Sequence, residues 1–500
     1  MSLKRNVIAN YLGQGWSGLI GLAFVPLYIE YLGIEAYGLI GIFALLQAWL
    51  TLLDMGMTPT LNREMARFTV GAHTPQSIRD LLRSLEIICF GIAALIGVLI
   101  WVASNWLATD WLRADKLPHA VVAQAIAIMG VVAALRFVEG IYRGAILGLQ
   151  RQVFFNVVNA SLSTVRAVGA VAVLAWVSPT IETYFVWQGL VSIISVVVLA
   201  GAAHKSLPSA PRPAKFSRQA ILEIRHFAGG MMATTFLALL LTQVDKILLS
   251  RLISLEFFGY YTLAATVAAA ITLFVVPISQ AFYPRLTELV AQNDNQGLIQ
   301  TYHRSAQLVT VLAAPAAFML IFFGHNLLGL WTGDKVLARE VAPLLSLLAL
   351  GTFFNGLMHM PYMLQLAHGW SGFAARVNLV AVAVLIPAIL WATPRFGAVG
   401  AAWAWVMLNA GYVLISVHFM YRRLLPTEKW VWFGRDVALP LFVTAIVVAT
   451  FKHMHPDGLG AVHELLWLLM TAVLSLLAGL AVVYGHYLFS GWDVLVRLKR

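Results

Sequence analysis

Apolar residues along this chain gather in stretches of about twenty, the length a helix needs to cross a hydrocarbon layer roughly 30 Å thick. About fourteen such spans can be marked, at 9–29, 37–58, 85–107, 118–135, 153–177, 183–203, 227–250, 259–283, 306–330, 341–365, 376–393, 398–420, 436–451 and 462–489. Stretches this long predict helices, because the strands of a membrane barrel are about 10 residues long and alternate apolar with polar positions. The expected fold class is therefore all-α and integral to the membrane. The thirteenth span is short and holds Pro440, which makes it the weakest of the set. The first, Val7 to Ile29, follows Lys4 and Arg5 as a signal peptide would. It is longer than a signal h-region, carries Asn10 and Gln14 and shows no small-x-small cleavage site, so it reads as a retained helix.

Polar positions inside these spans fall at helical spacing. Asn10, Gln14, Ser17 and Gly21 line one face of the first span, and Gln47, Thr51, Asp54 and Thr58 one face of the second. Asn156, Asn159, Ser163 and Arg166 do the same in the fifth, and Asn355, His359 and Tyr362 in the tenth. A polar face tolerates lipid poorly, so each stripe must meet protein or a water-filled cavity. Helix-to-helix hydrogen bonding beside small residues such as Gly13, Gly15 and Gly18 accounts for the uncharged stripes as well as cavity lining does.

Charge sharpens the picture. Only 11% of the 500 residues are charged and 60% are hydrophobic, against roughly 25% charged in a soluble domain. With a cytoplasmic N-terminus, the alternate loops hold 24 of the 33 basic residues inside and 7 outside, with Arg166 and Lys246 within helices. Short cytoplasmic loops retain Lys and Arg, so this asymmetry predicts a bacterial inner-membrane protein with both termini in the cytoplasm. It also accounts for the net charge of +11 without invoking nucleic acid. Tryptophans near span ends, such as Trp101, Trp106, Trp111, Trp176, Trp331 and Trp391, fit interfacial belts. The single cysteine, Cys89, excludes an intrachain disulfide framework and a cysteine metal cluster.

The basic stretch His204 to Arg225, with Pro208, Pro211 and Pro213, marks a linker near mid-chain. The segments on its two sides resemble each other. Tyr31-Leu32-Gly33-Ile34-Glu35-Ala36-Tyr37-Gly38 joins spans one and two, and Leu252-Ile253-Ser254-Leu255-Glu256-Phe257-Phe258-Gly259 joins spans seven and eight, with Glu three residues before Gly in both. Two repeats of six helices, an even number, share one orientation. The expected organisation is a six-helix lobe at 1–203, the cytoplasmic linker 204–225, a second six-helix lobe at 226–420, and two additional helices with a cytoplasmic end at 421–500.

Ionisable groups at mid-membrane are costly and so point to function. Arg166 sits about thirteen residues into its span, roughly 20 Å along the axis, while Asp245 and Lys246 are neighbours in the seventh. Arg136, Glu139 and Arg143 share a face at the end of the fourth span, two cations around one anion, a balance suited to a phosphate, with an interfacial positive-inside cluster as the other reading. Arg63 and Arg67 lie just beyond the second. The chain has no G-x-x-x-x-G-K-[ST] phosphate loop, and His463-Glu464 lacks the second histidine of a metalloprotease motif. The expected loops are too short for a catalytic domain. Transport is thus expected rather than enzymatic catalysis, with no cofactor and no metal.

Two sets of motifs resemble a known family. Leu32-Gly33, Glu35 and Tyr37-Gly38, then Leu53-Asp54-Met55-Gly56-Met57 and Arg63-Glu64, are similar to the opening helices of Wzx-type O-antigen and polysaccharide flippases. Gln243-Val244-Asp245-Lys246-Ile247-Leu248-Leu249, Gly259-Tyr260-Tyr261-Thr262-Leu263-Ala264, Pro277 and Pro284 are similar to the seventh and eighth. The resemblance implies two six-helix bundles around a central cavity and an undecaprenyl-diphosphate-linked oligosaccharide as cargo, moved by alternating access. Substrate contacts are then expected from Arg166, Arg143, Arg136, Arg63, Lys246, Asn10, Gln14 and Gln47, with Asp54 or Asp245 as a carboxylate coupling transport to a proton or sodium ion. Membrane lipids and a polysaccharide polymerase with its chain-length machinery are the expected partners. The wider superfamily also holds multidrug antiporters, so a cation-coupled exporter is the alternative reading, and an integral-membrane glycan polymerase or ligase a further one.

Overall fold

The computed structural model describes residues 3–456 and 458–497, and the side chains of 3–11, 220–221, 223–235, 237–238, 371 and 484–497 lie outside that description. Two compact units make up the chain, Met1–Gly259 and Tyr260–Arg500. The first contains α1 (Leu3–Ala23), α2 (Val25–Leu32), α3 (Ile34–Leu53), α4 (Met57–Thr69), α5 (Pro75–Trp106), α6 (His119–Gly148), α7 (Gln152–Trp176), α8 (Ile181–Ser206) and α9 (Arg218–Leu252). It ends in the first turn of α10 (Leu255–Ala269). The second holds the rest of α10, then α11 (Thr272–Ala291), α12 (Asn295–Phe322), α13 (Gly324–Thr332), α14 (Lys335–Leu357), α15 (His359–Ala367), α16 (Ser371–Gly411), α17 (Val417–Leu424), α18 (Lys429–Val431), α19 (Leu439–His453) and α20 (Ala461–Arg497).

Eleven helical runs among the described residues are long and apolar enough to cross a membrane, and α10 with α11, bent by 42°, supplies a twelfth. One of the eleven, Gly372–Leu424, is 53 residues long. At about 1.5 Å per residue that is more than twice a hydrocarbon core. It doubles back at Gly397, whose φ of 60° and ψ of −148° suit only glycine. The turn is tight, since a Cβ on Gly400 would fall within 3 Å of the Ala392 carbonyl oxygen. Counted as two crossings, and with α9 added, this segment brings the total to the fourteen expected.

Large apolar side chains cover the outside of the helices, as a hydrocarbon solvent requires: Trp101 is 67% exposed and Val197 65%. Inside the first unit, Leu61, Met65, Leu82, Cys89 and Ile146 pack between α4, α5 and α6. Small residues set how near α4 and α6 lie. A Cβ on Gly144 would meet the Thr58 carbonyl oxygen within 3 Å, and one on Gly148 that of Asn62.

Two expectations about helix ends need correction. The second span, expected to run through 37–58, is broken: Met55 (φ 45°) and Gly56 (φ 73°) leave the helix, and α4 starts afresh at Met57. The fourth span, expected to end near 135, continues to Gly148, which places Arg136, Glu139 and Arg143 within a helix rather than at its end. A position at a span end leaves both a phosphate site and an interfacial cluster open, but Arg136 and Glu139 have lateral partners on neighbouring helices.

The repeated loops meet within the first unit. A Cβ on Gly38 would fall within 3 Å of the Leu255 carbonyl oxygen, and a Cβ on Gly259 within 3 Å of the Ile34 carbonyl oxygen. These are reciprocal contacts between corresponding positions, so the Glu-x-x-Gly signature marks a close backbone approach. Glu35 accepts hydrogen bonds from the backbone N–H groups of Asp115, Lys116 and Leu117 at 2.6–3.2 Å. Lys116 in turn donates to Glu256 at 2.7 Å, which holds its ammonium above its ordinary value.

Candidate functional site

The polar residues of the first unit separate into two groups. Those on α1 and the first half of α7 pack against each other. Asn159 Nδ2 donates to Ser17 Oγ at 3.1 Å, Ser17 and Ser163 lie 3.4 Å apart, and Trp16 Nε1 donates to Thr164 at 2.9 Å. Gly13 admits Asn156, whose side chain occupies the space a Cβ would need. Ser17 of the first stripe and Asn156, Asn159 and Ser163 of the other thus belong to one helix-to-helix seam, as the packing reading of those residues expects. Gln14 is exposed, and the Asn10 side chain lies outside the described residues. In the second unit Asn355 likewise donates to Asn409 at 2.9 Å across α14 and α16.

The second group surrounds two arginines. Arg136, near the middle of α6, donates through Nη1 to Gln47 on α3 and through Nη2 to Gln188 on α8, each at 2.9 Å, and its guanidinium lies 5.0 Å from the centre of the Phe43 ring. Arg166 on α7 donates to Glu139 on α6 at 3.0 Å, with both side chains 16% exposed. Arg166 and Glu139 both act electrostatically on Arg136, and both guanidiniums on Tyr184, so these residues form one cluster. Tyr184 is buried and stacks edge-on with Tyr28 at 5.3 Å. Two guanidinium groups face one carboxylate, leaving an excess positive charge. Three buried donors of this cluster lack an acceptor among the described residues: Arg136 Nε, Arg166 Nε and Gln47 Nε2. Buried N–H groups without acceptors are costly, and an anion entering here would satisfy them.

Arg166, expected to contact the substrate, is ion-paired in the structure. Its partner is Glu139, 27 residues earlier in the chain. Asp54 sits at the helix break, where it accepts the Thr58 backbone N–H at 3.1 Å and the Thr58 hydroxyl at 2.7 Å, within electrostatic reach of Arg143. Arg143 itself is exposed. Arg63 is also exposed, 3.8 Å from the buried Glu64 that draws in Arg67 at 2.9 Å and His73 at 2.7 Å. Asp245 and Lys246, neighbours on α9, approach to 3.5 Å, and Lys246 also donates to the Thr242 carbonyl. Sequence reasoning missed Gln188, Tyr28, Tyr184 and Phe43 around Arg136. Helical spacing from Gln188 to Tyr184 is a signal that would have paired those two. An apolar groove of about 1080 Å³ lies elsewhere, along α16 and α17, with Arg376 as its charged lining residue.

Residues 3–290 match the profile of the family described as polysaccharide biosynthesis protein, and 231–391 match the MatE family. A putative O-antigen transporter from Shigella flexneri is 20% identical over 85% of this chain and 99% of its own length. The lipopolysaccharide biosynthesis protein WzxC of Escherichia coli (strain K12) is 21% identical over 46% of this chain and 47% of its own. Among solved structures, the lipid II flippase MurJ superposes with a TM-score of 0.70 at 12% identity, over 96% of this chain and 100% of that one. An inward-facing multidrug resistance MATE transporter gives 0.65 at 12% identity, over 83% and 96%. At such identities the structural likeness speaks for the fold alone. The sequence profile spans more than half of the chain and covers every residue of the arginine cluster, and the chain belongs to the polysaccharide biosynthesis protein family.

Proposed function

We propose that this multi-pass bacterial membrane protein is a flippase that carries an undecaprenyl-diphosphate-linked oligosaccharide, an O-antigen or another surface-polysaccharide unit, across the inner membrane by alternating access. The observation that carries this reading is the arginine cluster. Its excess positive charge and its orphaned donors suit a diphosphate, whose oxygens guanidinium binds in bidentate fashion. Arg136 and Arg166 attract the phosphates, while Gln47 offers an amide donor. Arg63, midway along α4, and Arg143, in the last two turns of α6, lie exposed and serve first capture. Gln14 and Asn10 on α1 and Lys246 on α9 meet the sugars or the lipid surface. The names of the relatives, an O-antigen transporter and a lipopolysaccharide biosynthesis protein, support the cargo class.

Asp54 and Asp245 are the proposed coupling carboxylates for a proton or sodium ion. Both termini and the 204–225 loop face the cytoplasm, and a polysaccharide polymerase with its chain-length machinery takes up the product. The multidrug-exporter reading draws on the MatE match, but a cluster with more cations than anions repels organic cations. The test is a clean deletion in a host lacking redundant flippases. Surface glycan should be lost and lipid-linked intermediates should accumulate in the cytoplasmic leaflet. Normal surface glycan in that strain would overturn the proposal.

A further inference from the structure

The second unit buries a set of titratable groups that the proposed transport does not use. His303 lies in the third turn of α12, 6% exposed. Its Nδ1 bonds to Asp436, which is fully buried, and its Nε2 faces Glu428 at 3.1 Å. The remaining Asp436 oxygen accepts Gln307 Nε2 at 2.8 Å. Beside them the hydroxyls of Tyr302 and Tyr421, both fully buried, bond to each other at 2.8 Å.

Backbone chemistry places Asp436 there. Pro440 has no N–H, so the helical bond it would give to the Asp436 carbonyl cannot form. The chain widens into a π-helical turn over Trp432–Ala438, and α19 begins immediately after it. π-turns of this kind re-aim side chains and recur at functional positions.

A neutral imidazole has one N–H and one lone pair. With a carboxylate oxygen at each ring nitrogen, a neutral His303 would set its lone pair against an anion. The arrangement therefore requires a proton beyond the neutral count. We propose that His303, Asp436 and Glu428 form a proton-binding site, and that the proton it holds fastens α12 to the connection preceding α19. In the occupied state imidazolium donates to both carboxylates. On release the proton leaves Nε2 for water, the bond to Glu428 is lost, and Nδ1–H to Asp436 remains.

Other charged groups nearby, among the described residues, do not replace that proton. Arg435 acts on Asp436 electrostatically, and Arg304 follows His303 in the chain. Lys429 is bonded to His418 at 2.8 Å. On α11, Arg285 and Glu288 pair with each other at 2.8 Å. From α15, His368 bonds the Leu364 carbonyl at 2.9 Å, and His359 is the other histidine. The charged side chains of α14, Lys335, Arg339 and Glu340, begin that helix. On α19 and α20, Lys452 and Glu464 bond Asn326, just past the far end of α12.

The test uses full-length protein labelled with ¹⁵N in its 13 histidines and reconstituted in nanodiscs. His303 should show two protonated ring nitrogens at pH 7, and its signal should vanish in His303→Gln. In Glu428→Gln it should become a single neutral tautomer with the proton on Nδ1, and backbone amides of 425–431 should exchange faster. If His303→Gln fails to fold, the signal that changes in Glu428→Gln identifies the residue. A neutral His303 in the unsubstituted protein, or a signal unmoved by Glu428→Gln, would overturn the proposal. Neither result depends on whether the cargo has been assigned correctly.

Discussion

The arginine cluster shows how neighbours change what a charged residue means. Arg166 was legible in the sequence as a buried cation because it interrupts an apolar span. Its partner was not, because Glu139 lies on another helix, in a group with Arg136 and Arg143 that the sequence places at a span end. Spacing along one helix reports which side chains share a face, not which helix that face meets. The pair makes a prediction. Removing one member of a fully buried ion pair costs about 3–5 kcal/mol, since the remaining charge is left without compensation, and this part-buried pair should cost less in the same direction. Glu139→Ala should therefore lower membrane abundance, and Glu139→Ala with Arg166→Ala should restore it. If Arg166 also draws the diphosphate, the double variant should still fail to export surface glycan. Normal export by the double variant at normal abundance would remove the pair from the mechanism.

Among the elements, apolar run length revealed the helices, and their ends were harder to read. The break after Asp54 had a signal in Gly56, but Asp54 and Thr58 also continued a helical stripe, and the stripe won. The long α6 was underestimated because charges usually end a span, whereas Arg136 and Glu139 are paired sideways. Pro440, the reason for doubting the thirteenth span, instead follows the π-turn that carries Asp436. The repeat was readable as Glu-x-x-Gly twice, and the reason for glycine appears only in the packing. Gly38 and Gly259 each lie against a backbone carbonyl that cannot swing aside. A larger residue there should cost about 1–3 kcal/mol of overpacking. Cys89, buried and the chain's single cysteine, provides the readout. In purified protein heated with a thiol-reactive dye, Gly38→Val and Gly259→Val should expose Cys89 at a lower temperature than the unsubstituted chain. Gly15→Val, at a position with open space around it, should not. Equal midpoints for all three would show that the close approach does not limit stability.

For the whole molecule, charge rather than packing predicts the orientation in the membrane. Moving Lys or Arg across hydrocarbon is costly, and short loops rich in them stay on the cytoplasmic side. The partition of 24 basic residues against 7 runs through nearly every loop, so no single substitution should invert it. The loop between α8 and α9 is the most informative place to look. Arg212 and Lys215 donate their backbone N–H groups to Gln76 and Asp80, at the start of α5, and Arg79 donates to the Pro208 and Leu207 carbonyls. That loop and the α4–α5 connection therefore lie on one side of the membrane. Under the charge rule their arginines and lysines, with Arg63, Arg67 and Arg83, predict that this side is cytoplasmic. Ser209 stands in this loop among prolines and is exposed to solvent. In a variant whose Cys89 is replaced by serine, a cysteine introduced at Ser209 should resist an impermeant thiol reagent added to intact cells and react once the inner membrane is opened. A cysteine at Asp115, in the connection after α5, should show the opposite order. Labelling of the Ser209 position in intact cells would invert the topology and place the exposed Arg63 and Arg143 on the side from which cargo leaves.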